Sequence, residues 1–218
     1  MKKGIYTCII ILIFKVCFTG TSLFAQERRP GKLFSPEKIP LLESLRDWQD
    51  SKEIMDRLDI RRGDSVADIG AGSGYFTIPL AEKVGSEGLV YAEDIQQEML
   101  DYISRKVEKL KLKNIKIVLG ETEDPALPDN SLNCAFVANT YHEVVSPLLL
   151  LGNIYKDLKT GGRLVIIDWD PEKKSPFGPP TEVRVPGETV VKEALETGFS
   201  FWQSHNFMPY HYFLIFTK

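Results

Sequence analysis

Cysteine is scarce in this sequence, with three in 218 residues. Cys8 and Cys17 lie in the first 25 residues, so a domain that begins after them keeps only Cys134 and can form no internal disulfide. No Cys/His cluster has zinc-ligand spacing, which argues against a structural metal. An excess of positive charge is also lacking. Lys and Arg number 27 against 30 Asp and Glu, a formal net charge of −3, so there is no basic field to attract a phosphate backbone and nucleic acid is not an expected partner. Internal repeats and low-complexity tracts are absent. What is present, 43% apolar and 26% charged residues, fits one ordinary globular domain whose partner is a small molecule or another protein. A chain of this length buries roughly 70% of its unfolded surface, enough for a core without staples.

The N-terminus reads differently from the rest. Lys2 and Lys3 precede the stretch Ile5 to Phe14, apolar except for Thr7, and Ser22-Leu23-Phe24-Ala25 ends on a small residue. This is the pattern of a secretory signal peptide over residues 1–25. Lys15 interrupts the apolar run well short of the roughly 18 residues that a retained span needs. Export to the periplasm or the medium is therefore expected, with no stable span after cleavage. Residues 26–40, rich in proline and arginine, read as an irregular arm, and 41–218 as the domain. Cys134 sits in an apolar run, where a buried inert thiol is weighed against a nucleophile.

Within the domain a helix is expected over Leu41 to Leu58, followed by a regular alternation. Short apolar strands are expected at 65–69, 89–92, 115–119, 133–138 and 164–167. Helices are expected over 75–84, around Met99, Ile103, Val107 and Leu110, and from Pro147, capped by Ser146, to a stop at Gly161-Gly162. Strands apolar on both faces alternating with helices imply a parallel, doubly wound α/β sheet. The tail departs from this. Asp170 to Pro186 carries five prolines and reads as a long loop expected to close over a ligand; Thr189 to Glu196 is a short helix. The aromatic runs Phe199 to His205 and Tyr210 to Phe216 are joined too tightly for a parallel crossover, so they should pair antiparallel at an edge.

Chemistry concentrates after the first strand. Asp68-Ile69-Gly70-Ala71-Gly72-Ser73-Gly74 places glycines where backbone amides face a ligand. The dinucleotide fingerprint Gly-x-Gly-x-x-Gly is not met, because Tyr75 stands in the last position, and a phosphate loop would need a lysine that is missing. Asp68 would repel a pyrophosphate but suits a ligand presenting an amino group. Asp94, 22 residues beyond Gly72, ends the second strand, where it can accept hydrogen bonds from ribose hydroxyls.

These segments, with Ala92 to Leu100, Gly120 to Ser131 and Leu158 to Asp168, resemble the class I S-adenosylmethionine-dependent methyltransferases over roughly residues 53–168. The resemblance implies a Rossmann-like sheet of seven strands in the order 3-2-1-4-5-7-6, the seventh antiparallel. It implies S-adenosylmethionine as cofactor, held by Asp68, Gly70, Gly72, Gly74, Asp94, Glu121, Thr122 and Asn139. Glu93 is the alternative to Asp94 as the ribose acid. Glu121 stands where the family usually has Asp or Asn, and Thr160 where proline is common. A cytosolic cofactor sits awkwardly with export, so the cytoplasm remains the alternative location.

Methyl transfer is an in-line displacement, so the acceptor must reach the C-terminal ends of the strands. Asn139 to Glu143 and Asp168 to Asp170 lie there. His142 is the candidate general base, weighed against a structural histidine, and Tyr141 is a second catalytic candidate, weighed against core packing. The expected function is transfer of a methyl group to a small-molecule acceptor. A non-catalytic nucleoside-binding module and a nicotinamide-dependent oxidoreductase are the alternatives.

Overall fold

A computed structural model describes residues 33–40, 51–176 and 178–218. The signal segment 1–25 and the first part of the expected 41–58 helix lie outside these residues. The remainder of that helix is α1, Ser51–Arg57. Of the arm, Pro36–Lys38 forms one 3-10 turn and Ile39 is buried. Among the described residues no helix is long and apolar enough to cross a membrane.

The alternation then runs β1 Ser65–Ile69, α2 Thr77–Val84, β2 Leu89–Asp94, α3 Gln97–Leu110, β3 Ile115–Leu119, β4 Leu132–Ala138, α4 Pro147–Asp157, β5 Leu158–Trp169, α5 Gly187–Glu196, β6 Ser200–His205 and β7 His211–Thr217. The seven strands form one sheet in the order 3-2-1-4-5-7-6, with β7 antiparallel to both β5 and β6. The tail hairpin thus inserts its second strand beside β5 and leaves its first strand at the edge.

Strand periodicity sorts the core into two faces. Ala67, Ile69, Ala135, Val137, Leu164 and Ile166 pack beneath Leu150, Leu151 and Ile154 of α4 and Val190 and Ala194 of α5. Val66, Val90, Phe136, Val165 and Ile167 pack beneath Ile54 and Met55 of α1 and Leu80, Ala81 and Val84 of α2. Cys134 lies in this second core, fully buried, its thiol pushed up to about 12 by desolvation, so it is an inert core residue.

Three local expectations are corrected. The Ser146 side chain makes no cap bond to the α4 backbone; its hydroxyl donates to Glu123 Oε1 at 2.6 Å and so ties the loop after β3 to the start of α4. The glycine pair does not end α4. The helix stops at Asp157, because Leu158 is already extended and pairs with Leu132, and Gly161, at φ 77°, bends the start of β5. Leu110 is exposed, since α3 ends there on the left-handed Lys111, and the buried residues of the helix are Met99, Leu100 and Ile103.

Candidate active site

The C-terminal ends of β1, β2, β4 and β5 carry nearly all the candidate residues. The turn after β1 is held by its main-chain amides, which donate to two carboxyls and one carbonyl at the end of β2. Gly70 N donates to Glu93 Oε2 at 3.2 Å, Ala71 N to the Glu93 carbonyl at 2.8 Å, and Gly72 N to Asp94 Oδ2 at 2.9 Å. The parallel register Ile69↔Glu93 makes this possible by placing the acids level with the glycine turn. Gly70, Gly72 and Gly74 all have φ between 56° and 72°, a region costly for residues with a Cβ. A Cβ on Gly70 would lie 2.4 Å from Thr140 Cγ2, so glycine there admits the segment that follows β4. A Cβ on Gly74 would press on Ile103 of α3. At Gly72, in contrast, a Cβ would meet nothing within 4 Å, so this part of the loop borders open space.

The acids at this end differ in environment. Asp94 accepts from Gly72 N and, through Oδ1, from Gln96 N at 2.9 Å. Burial raises its pKa and these backbone bonds lower it, leaving a net upward shift. Asp68 Oδ2 accepts from the Thr77 hydroxyl at 2.6 Å, which fixes the start of α2. Glu121 and Thr122, expected beside the cofactor, are exposed on the turn that leaves β3. Asn139 has φ 57° and its N–H donates to the Ile167 carbonyl at 2.9 Å, turning the chain away from β4.

The β4–β5 side is built from side chains. Register Ala138↔Ile167 brings the residues after β4 alongside Asp168. His142 N–H donates to Asp168 Oδ2 at 2.8 Å, and Nδ1 lies 2.9 Å from Oδ1 and 3.1 Å from Oδ2. Trp169 N donates to Asp168 Oδ1 at 2.7 Å. An ionised carboxylate only accepts, so Nδ1 carries the proton in this pair and Nε2 is the free lone pair of the neutral ring. Burial alone would lower the pKa of His142; the charge and hydrogen bond of Asp168, with Glu143, outweigh it and the net shift is upward, opposed by Arg184. Glu143 Oε1 stands 3.7 Å from Nε2. Desolvation, and repulsion from Asp168 and Asp94, push the Glu143 carboxyl up to about 7 against the pull of His142.

Tyr141 is placed otherwise than a catalytic role requires. Its ring is fully buried in the α4/α5 core and its hydroxyl donates to Glu193 Oε2 at 2.7 Å. It anchors α5 to the turn after β4. The loop after β5 is pinned as well: Lys173 Nζ donates to Asn206 Oδ1 and to the carbonyls of Met208 and His211, while Arg184 donates to the carbonyls of Pro179, Asp170 and Lys173. Sequence reading missed Thr140, Lys173 and Arg184. The loop's basic residues were the one signal for Lys173 and Arg184; the partners of Lys173 lie up to 38 positions away, and Thr140 meets Gly70, 70 positions away.

A doubly wound sheet with a glycine turn after β1 and an acid ending β2 defines a nucleoside-binding α/β protein. Residues 60–208 match the methyltransferase domain family, and the chain belongs to it, with the class I fold of the S-adenosylmethionine-dependent enzymes. A crystal structure of a SAM dependent methyltransferase from Aquifex aeolicus is similar over 84% of this chain and 98% of that one, at 31% identity and TM-score 0.79. A demethylmenaquinone methyltransferase of Geobacillus sp. is 29% identical over 121 residues, 56% of this chain and 51% of that protein. The one from Geobacillus stearothermophilus is 31% identical over 117 residues, 54% and 50% respectively. The chain thus spans about half the length of these curated relatives.

The family and its solved relatives imply S-adenosylmethionine as cofactor. The residues fit it. Gly72 borders open space, and the Asp94 carboxylate beside it, with two backbone donors already bound, has lone pairs left for a ribose diol.

Proposed function

We propose that this chain is a methyltransferase that binds S-adenosylmethionine at the glycine turn, with Asp94 on the ribose. It passes the methyl group to a small-molecule acceptor deprotonated by His142. The observation that carries the reading is the Asp168–His142 pair. Three hydrogen bonds fix the carboxylate and the ring, in a site whose Glu143 feels the charge of Asp94 across the cleft. When bound at the glycine turn, held by Asp94 and the open face at Gly72, the cofactor would supply an electrophilic sulfonium methyl, with its thioether as the leaving group. His142 Nε2 takes the acceptor's proton, Asp168 stabilises the imidazolium, and the loop held by Lys173 and Arg184 walls the acceptor side. Orientation at about 3–3.5 Å supplies about 7–11 kcal/mol of such a barrier. The curated relatives named for demethylmenaquinone support an organic acceptor of small-molecule size. A screen of oxygen, nitrogen, sulfur and arsenic nucleophiles with labelled cofactor tests the reading; turnover with none of them would leave a binding module.

We also propose that residues 1–25 direct export and are removed, on the charge and apolar pattern of that segment. N-terminal sequencing of the protein from its host is the test: a mature end at Gln26 is expected, and an intact Met1 in the cytosol would overturn it.

A further inference from the structure

The end of β2 holds one acid that the proposed chemistry does not use. Glu93 is almost fully buried, and its Oε2 accepts one hydrogen bond, a 3.2 Å contact from Gly70 N. Asp94 beside it accepts two backbone bonds of 2.9 Å, and Asp68 on β1 accepts a 2.6 Å bond from Thr77. Three carboxyls therefore meet at adjoining strand ends, and Glu93 has the poorest compensation for a charge. On the opposite side Glu93 fills the space where Gly120 has no side chain; a Cβ at 120 would lie 1.9 Å from Oε1. Glu93 so bridges the turn after β1 and the segment leaving β3, the two borders of the proposed cofactor site.

We propose that Glu93 is a positioning residue that holds the Gly70 turn and the Gly120 segment together as a neutral carboxylic acid, so that cofactor affinity falls when it ionises. This rests on reading the cleft as the S-adenosylmethionine site. A buried carboxylate with one long amide bond and like charges beside it favours the protonated form. Burial pushes the Glu93 pKa up to about 8; the Gly70 hydrogen bond pulls it down, and Asp94, Asp68 and Asp124 push it further up. These are the charges that face it from β2, from β1 and from the loop after β3. Ionisation adds a negative charge beside Asp94 and Asp68; it strengthens the single Gly70 amide bond, but repulsion and the cost of a buried charge outweigh that gain and press the carboxylate out of its place between the two segments.

Calorimetric binding of S-adenosylhomocysteine from about pH 6 to about pH 9.5 compares the wild type with Glu93→Gln, which keeps a carbonyl acceptor for Gly70 N but cannot ionise. The ligand's own amino group titrates equally in both proteins, so the difference between them isolates Glu93. Affinity near neutrality should agree within about threefold. Above about pH 8 the wild type should lose at least about fivefold more than Glu93→Gln. Parallel profiles would overturn the proposal while leaving the cofactor site intact, whereas no binding by either protein at any pH would overturn the site reading and this proposal together. Should Glu93→Gln fail to fold, a carbon-13 carboxyl titration of the wild type decides: a glutamate still protonated above about pH 7.5 is expected, and none beyond the Glu143 transition would refute it.

Discussion

The two halves of the cleft use different materials. On the β1–β2 side the groups that hold the turn are main-chain amides: those of Gly70 and Gly72 donate to the Glu93 and Asp94 carboxyls and that of Ala71 to the Glu93 carbonyl. On the β4–β5 side the candidate base and its partner are a pair of side chains, His142 and Asp168, 26 positions apart. A main-chain site needs little more than glycines and one acid at the right spacing, whereas a side-chain site depends on strand register and on what each side chain meets. The halves join where the Thr140 hydroxyl donates to the Gly70 carbonyl at 3.3 Å. Binding and acceptor activation should therefore be separable by mutation, and the joint should be costly to disturb.

The largest effect is expected on the side-chain half. His142→Ala should lower turnover about 10²- to 10⁴-fold while cofactor affinity stays near wild type. The rate of the wild type should rise with pH through the His142 pKa, which Asp168 holds above its usual value. In Asp168→Asn the partner that raises this pKa is lost, so the midpoint should move down along with the rate. The stability signs follow from the same shift. An imidazolium favoured in the folded state contributes stability that is full below the unfolded pKa of about 6.5 and is lost as pH rises through the folded value, so Asp168→Asn should lower the melting temperature more at acid than at alkaline pH. A pH-independent His142→Ala variant within threefold of wild type would end the general-base role.

Next in size is the joint. Gly70→Ala combines φ 67° with a Cβ 2.4 Å from Thr140 Cγ2, and should cost about 2–4 kcal/mol in chemical denaturation. Adding Thr140→Ala removes Cγ2 and Oγ1 but leaves the backbone strain, so part of the loss should return. Full additivity of the two changes would show that the halves do not touch as described.

What could be read from the sequence divides along the same line. The strand–helix alternation, the glycine turn and the position of Asp94 at the end of β2 follow from apolar runs, glycines and one acid, whereas the order of the seven strands follows from the family resemblance. Tyr141 was not legible: a tyrosine between a strand end and a histidine has the same local pattern whether it faces the cleft or the core, and only Glu193 on α5, 52 positions on, decides it. The cap at Ser146 failed for a similar reason, since its hydroxyl donates to the distant Glu123 and its oxygen accepts no helix N–H. Glu93 was visible as the alternative to Asp94 for the ribose, but its bond to Gly70 and its fit against Gly120 needed the folded sheet.

A smaller effect is expected in the loop after β5. Lys173→Met removes three hydrogen bonds to Asn206, Met208 and His211, and should destabilise the segment by about 1–3 kcal/mol. Hydrogen exchange over residues 170–186 should quicken, turnover should fall less than about tenfold, and cofactor affinity should not change. Unaltered exchange would mean that other contacts set this wall.

The division between the halves is tested most directly by calorimetry of S-adenosylhomocysteine binding to Asp94→Ala and His142→Ala side by side. Loss of a hydrogen-bonded carboxylate costs about 1.5–3 kcal/mol, so Asp94→Ala should bind roughly 10- to 100-fold more weakly, and His142→Ala within about threefold of wild type. Undiminished affinity in Asp94→Ala, or an equal loss in His142→Ala, would contradict it.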